Sequence, residues 1–271
     1  MKTIIATTDF SPASYHATFY AAQLAVFLQA ELILFHAVAE QVSLVPDLSL
    51  VGLGYEEDVS DDSLQTLEAL RDKLLLATDN KLVCETKLRF GKVVEELKQL
   101  RYEVKPIVTV MAATKKNWLA QTISGCNTLC VSQKCHEAVL LIPETAQFTG
   151  LAKVAMATDL DDVFNTVPLQ KITRFLHQFT ASLSILHILK SDVIHSKTTP
   201  ETVALQIHFR EFNPKFQFVS NKDVEAGIEQ FIATEKPDLL IIIPKKEAVW
   251  HKSLSKPFIL HPSIPILAIS K

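Results

Sequence analysis

The sequence predicts an α/β protein built as two tandem, doubly wound, Rossmann-like parallel-sheet domains. Short apolar runs alternate with helix-patterned segments along the whole chain, the order that builds parallel sheets. One of those runs, ELILFHAV at 31–38, is continuously apolar, as strands covered on both faces are. The second half then repeats the first in the same order, which makes the chain a duplication. Its 271 residues, 48% of them hydrophobic, are enough for two ordinary domains.

In chain order, TIIATT at 3–8 is a β-branched strand, and Ser11-Pro12 starts a helix, Ser as N-cap and Pro in the first turn. That helix runs to about Gln29 with Phe19, Ala22, Leu24, Phe27 and Leu28 at helical spacings. After strand 31–38, residues 39–60 read as a long connection carrying Pro46, Gly52, Gly54 and Glu56-Glu57-Asp58. A helix is predicted over 61–78, with Leu64, Leu67, Leu70, Leu74 and Leu75 on one face and Asp61-Asp62 favouring its N-terminal dipole. KLVCETKLRF at 81–90 alternates like a strand, Gly91 turns the chain, and VVEELKQLRY forms the next helix.

Residues 144–150 have no periodicity and mark a boundary, giving domains over 1–146 and 151–271. AKVAMATDL (152–160) aligns with KTIIATTDF (2–10), matching Thr8-Asp9 to Thr158-Asp159. ASLSILHIL (181–189) aligns with AELILFHAV (30–38) and sets His187 opposite His36. EKPDLLIIIP (235–244) aligns with VKPIVTVMAA (104–113) through a shared Lys-Pro, and PILAIS (265–270) answers AVLLIP (138–143). Between these markers the second half predicts a helix at 166–179, a polar connection at 192–200, a helix at 201–211, a strand at 215–220 and a helix at 223–234.

The element PIVTVMAATKKNWLAQTISGCNTLCVSQKCHEAVLLIP (106–143) organises the first domain: a strand, a loop, a helix opening at Gly125 and a closing strand. Such a helix start presents backbone N–H groups to an anion. The run Gly125 to Ile142, GCNTLCVSQKCHEAVLLI, resembles the closing segment of universal stress protein domains, which have an adenine nucleotide alpha hydrolase-like fold. With the repeat, the resemblance extends over nearly the whole chain. In that family a loop with Gly, two residues, Gly, nine residues, Gly and Ser or Thr wraps the phosphates of ATP. Here the upstream glycines fall on Ala112 and Lys115, and the Ser/Thr position is Cys126. The resemblance implies that Asp9, Val38, Met111, Gly125, Cys126 and Asn127 line the crevice, and Lys115 adds a charge able to pair with phosphate. In the second half KKEAVWHKSLSKPFILHPSIP has no glycine, so nucleotide is not expected there. The family further implies an internal pseudo-dimer in which 138–142 and 265–269, better covered than exposed as edges, form the interface.

Net charge is −3, which offers no positive field to nucleic acid or an anionic membrane. Neither a signal peptide nor an apolar run of the roughly 18 residues needed to cross a membrane is read, so the expected setting is the reducing cytoplasm. The cysteines Cys126, Cys130 and Cys135, with His136, string along one helix, which fits tetrahedral zinc poorly; a redox role for Cys126 at a helix N-terminus and plain packing both remain open. Asp9 either lines a site or caps the next helix, Asp159 reads as a cap, and His36 and His187 read as satisfied buried histidines. Lys245, Lys246, Trp250, Lys252, Lys256 and Phe258 read as a solvated loop. No Ser-His-Asp, Cys-His or paired-carboxylate motif stands out. The expected function is a non-catalytic stress-response or regulatory protein with a degraded ATP motif, possessing no certain cofactor and acting through itself and an unidentified protein partner. The alternative is an adenine-nucleotide-binding protein that uses the first domain for ATP, with at most slow hydrolysis.

Overall fold

A computed structural model describes residues 2–38, 52–113, 138–189, 198–244 and 263–270. The chain divides into two compact units, 1–112 and 113–271. The first holds β1 (Thr3–Thr7), α1 (Pro12–Leu28), β2 (Glu31–Val38), α2 (Gly52–Ala77), β3 (Val83–Phe90), α3 (Val93–Val104) and β4 (Val108–Ala112). Its strands pair in parallel in the order β3-β2-β1-β4. Parallel strands covered by helices must be apolar on both faces, and Ile4, Ile5, Val108 and Val110 are fully buried.

Helix α1 starts where the sequence places it: the Ser11 side chain accepts from Ser14 N, and Pro12 is the first helical residue. Its buried stripe differs from the expected one. Ala17, Ala21, Ala22, Ala25, Leu24 and Leu28 are buried, whereas Phe27 is exposed. Small residues let α1 pack on β1 and β4, and the phenylalanine is left to the rim. Helix α2 begins at Gly52, nine residues earlier than its predicted start at Asp61, so 52–60 belong to the helix rather than to a connection. Glycine costs about 1 kcal/mol in a helix interior, and Gly52 and Gly54 stand in the first turn, where that penalty weighs least. Leu67, Leu70 and Leu74 are buried as expected; Leu64 is partly exposed.

The second unit holds β5 (Ala138–Ile142), β6 (Lys153–Ala157), α4 (Val163–Thr166), α5 (Leu169–Leu176), β7 (Ser182–Leu189), α6 (Pro200–His208), β8 (Lys215–Ser220), α7 (Val224–Glu235), β9 (Leu239–Ile242) and β10 (Ile266–Ile269). Strands β10, β9, β6, β7 and β8 are parallel neighbours. Where one helix is expected over 166–179, α5 occupies 169–176, and a separate short helix, α4, precedes it. Pro168 lacks an N–H and separates α4 from α5, whose Ile172, Phe175 and Leu176 are buried as predicted. The helix expected over 201–211 ends at His208 and continues as a 3-10 turn, Arg210–Phe212.

The repeat has a physical basis at the Lys-Pro pair. Lys105 and Lys236 are C-caps with φ of 47° and 48°, donating their N–H groups to Arg101 O and Ile232 O at 2.9 and 3.0 Å. Each left-handed lysine ends a helix, and the proline after it prevents continuation.

The two closing strands of the repeats pair with each other. β5 runs antiparallel to β10, with Leu140 opposite Leu267 and Leu141 opposite Ile266. Neither is a bare edge: every residue of both strands is buried. Replacing Leu140 or Leu267 by alanine is expected to cost about 2–5 kcal/mol each. Urea unfolding of the double variant should show a coupling of about 0.5–3 kcal/mol between these facing residues; strictly additive losses would contradict the pairing.

Candidate functional site

The carboxyl ends of β2, β1 and β4 lie side by side, because these strands are parallel neighbours. Three candidate residues come to that edge. Asp9 follows β1 by two residues, Val38 ends β2, and Met111 is the penultimate residue of β4. Lys115, Gly125, Cys126 and Asn127 lie outside the described residues, as do Cys130, Cys135, His136 and the basic and aromatic loop from Lys245 to Phe258.

The turn after β1 is a closed polar knot. Thr8 N donates to Phe35 O at 2.9 Å and extends the ladder. Thr8 Oγ1 accepts from Phe10 N at 3.0 Å and lies 3.0 Å from Ser14 Oγ, a hydroxyl that also donates to Ser11 O at 2.9 Å. The Asp9 carboxylate accepts from both Ser11 N and Ser11 Oγ, both bonds falling on Oδ1. Partial burial pushes the Asp9 carboxyl up, but the hydrogen bonds from Ser11 and Ser14 outweigh it and hold its pKa below the ordinary 3.8. A lowered carboxylate pKa stabilises the fold above the unfolded value, so this contribution is complete at neutral pH and disappears as acid protonates Asp9.

His36 sits two residues before the end of β2 and donates from Nδ1 to Thr8 O at 2.7 Å. Its ring lies 4.3 Å from the Phe10 ring, which Phe10 reaches by adopting φ of 61°. Bulky residues seldom take that conformation, so the turn is over-determined by its hydrogen bonds. The second unit repeats the geometry. His187 Nδ1 donates to Thr158 O at 3.0 Å, Leu160 has φ of 54°, and Leu160 N donates to Thr158 Oγ1 at 3.2 Å. The Asp159 carboxylate accepts from Asp161 N at 3.4 Å. Both histidines are therefore hydrogen-bonded, as expected, though half-buried rather than enclosed.

Val38 is half-buried, and its carbonyl accepts from Gly91 N at 2.9 Å. Met111 is only 5% exposed. Ala112, in the place of the first family glycine, closes β4 in extended backbone, where no glycine is required. Sequence reasoning missed Phe10 and Ser14. Ser14, three residues after the N-cap, is the one whose position was readable, since a cap bonds the third backbone N–H. Among the described residues no group of three His, Cys, Asp or Glu side chains is arranged to hold a metal ion. The described cysteine, Cys84, is a half-buried thiol on β3, pushed up to about 12 by burial.

The model of the Universal stress protein family matches residues 1–143, over half of the chain. The chain belongs to the universal stress protein family. Among solved structures it is similar to a universal stress protein from Archaeoglobus fulgidus, at 13% identity over 99% of this chain and 98% of that one, with a TM-score of 0.71. It is also similar to a functionally unknown protein from Pseudomonas aeruginosa, at 12% identity over 100% of this chain and 92% of that one, with a TM-score of 0.59. These likenesses carry the fold. No protein among the curated ones matches the sequence.

For this universal stress protein the two Thr-Asp turns make a matched test. Thr8→Val keeps shape but removes the acceptor of Phe10 N and the partner of buried Ser14 Oγ, and should cost about 1–3 kcal/mol. Thr158→Val removes the acceptor of Leu160 N and should cost about 0.5–1.5 kcal/mol. Denaturant midpoints of the two variants measure the difference, and equal losses would contradict the role given to Ser14.

Proposed function

We propose that this universal stress protein is a tandem member, with domains over 1–146 and 151–271, that works without catalysis as a stress-response or regulatory protein. Its ATP motif is degraded, and it acts in the cytoplasm through contacts with a protein partner and with itself. The observation that carries this reading is the closed turn after β1. Asp9 Oδ1 is engaged by Ser11, and the same turn recurs at Thr158–Leu160, in a half whose loop sequence has no glycine. A turn present in both halves is explained by the local hydrogen bonding that holds the chain after the strand, rather than by a ligand that only one half is equipped to hold. Met111 is buried and Val38 offers a carbonyl already bonded, so two further candidate contacts present little free polar surface. The pairing of β5 with β10 supports the internal pseudo-dimer, because these are the equivalent closing strands of the two repeats.

The alternative is adenine nucleotide in the first domain. Asp9 is exposed and charged, and Gly125 and Lys115 supply the residue types that a helix-start phosphate site uses. Thermal unfolding with ATP and Mg²⁺, ADP or AMP separates the two, with Gly125→Val as control. A ligand at 100 times its dissociation constant adds about 2.7 kcal/mol to stability. The expected result is no shift at millimolar nucleotide. A shift that disappears in Gly125→Val would establish the alternative.

A further inference from the structure

Strand β3 ends the parallel ladder of the first unit: it pairs with β2 on one side, and among the described residues no strand pairs with its other side. Which backbone groups face outward follows from the ladder. Gly91 N donates to Val38 O, so 85, 87 and 89 also turn their amides towards β2, and the N–H and C=O groups of Cys84, Thr86 and Leu88 face away from it. None of these three is proline, so each offers a donor and an acceptor to a further strand.

The side chains of β3 divide by the same alternation. Glu85, Lys87 and Arg89 share one face, where Lys87 pairs with Glu85, and Arg89 pairs with Glu103 of α3 at 2.8 Å. Cys84, Thr86 and Leu88 share the other face and are half-buried. Charges on an edge deter a strand whose own charges clash with them, so their signs decide which strand can add. Here the signs run minus, plus, plus at every second residue, and a copy of the strand turned end for end can set minus against plus. The corresponding strand of the second unit, β8, has one charge, Lys215, ahead of Phe-Gln-Phe-Val, and lacks that pattern.

We propose that the outer edge of β3 is a docking surface for a second copy of this chain, with β3 pairing antiparallel to β3 about a two-fold axis at Thr86. In this register outward-facing residues meet one another, Thr86 opposite Thr86 and Cys84 opposite Leu88 twice, and their N–H and C=O groups satisfy each other. Between these pairs Glu85 stands opposite Lys87 twice, in the close positions where cross-strand side chains of opposite charge attract. With the Lys87–Glu85 pair inside each strand, the four groups form a ring of alternating sign. Val83, 59% exposed in the single chain, is covered by the aliphatic stem of Arg89 from the second copy. Charge singles out this register. An axis one residue earlier sets Glu85 against Glu85, one residue later sets Lys87 against Lys87, and two residues later sets Lys87 against Arg89 twice. This contact joins two chains and does not rest on the nucleotide reading, which the thermal test decides separately.

The test is sedimentation equilibrium of the full chain from about 1 µM to about 300 µM, the range in which a strand-addition dimer dissociates. The wild type is expected to pass from the mass of one chain to that of two. Glu85→Lys and Lys87→Glu each leave like charges opposite each other twice and should weaken the dimer about tenfold or more. Both side chains are partly exposed, so the circular dichroism should not change. An equal mixture of the two variants sets plus against minus at both places and should restore association, although neither variant regains its internal Lys87–Glu85 pair. A folding defect, or loss of that internal pair alone, cannot be repaired by mixing. A wild type that stays single up to the highest concentration, a dimer indifferent to both changes, or a mixture that fails to reassociate overturns the proposal.

Discussion

Parallel strands covered on both faces leave nowhere for polar chemistry except their ends, and the rest of this molecule follows from that constraint. Within β1, β4, β5, β9 and β10 nearly every side chain is apolar and buried. Hydrogen-bonding side chains therefore gather where the first strand of each repeat runs out. There Thr8 and Thr158 hold the turn, a histidine from the neighbouring strand donates to the threonine carbonyl, and the residue after the aspartate is driven to positive φ. The repetition of this arrangement makes it a folding element first.

The duplication has diverged away from that shared turn. The first repeat adds Ser11, whose side chain caps a helix of 17 residues by accepting from Ser14 N. In the second, the N-cap of the corresponding helix is Asp162 at φ of 44° with no side-chain cap bond, and the helix is cut to four residues before Pro168. The outer strands diverged too, one carrying charges along its length and the other an aromatic run. Identical topology thus supports different surfaces, and function belongs to those surfaces rather than to the fold.

Much of the architecture was legible in the sequence because it is written in periodicity. Strand 215–220 stands at its predicted bounds, and helix 224–235 lies one residue from its own. What escaped was decided by context. Helix α2 extends back to Gly52 through two glycines that a local reading takes for a loop, and α5 starts only after a proline that the apolar spacing of Ile172, Phe175 and Leu176 conceals. The site was less legible than the fold. Asp9 could be found from its place after a strand, but not that Ser11 engages it or that Phe10 turns back over His36, since both depend on contacts formed by a turn. Four of the seven candidate residues, Lys115, Gly125, Cys126 and Asn127, rest on the resemblance and the sequence.

The proposed function holds that the family scaffold is retained here while its nucleotide chemistry is not. The most direct measurement is the nucleotide content of the protein purified without added ligand, released by acid and quantified by chromatography against protein concentration. The account predicts adenine nucleotide far below one equivalent per chain. Near-stoichiometric ATP, ADP or AMP would contradict it and make the first-domain crevice a working site.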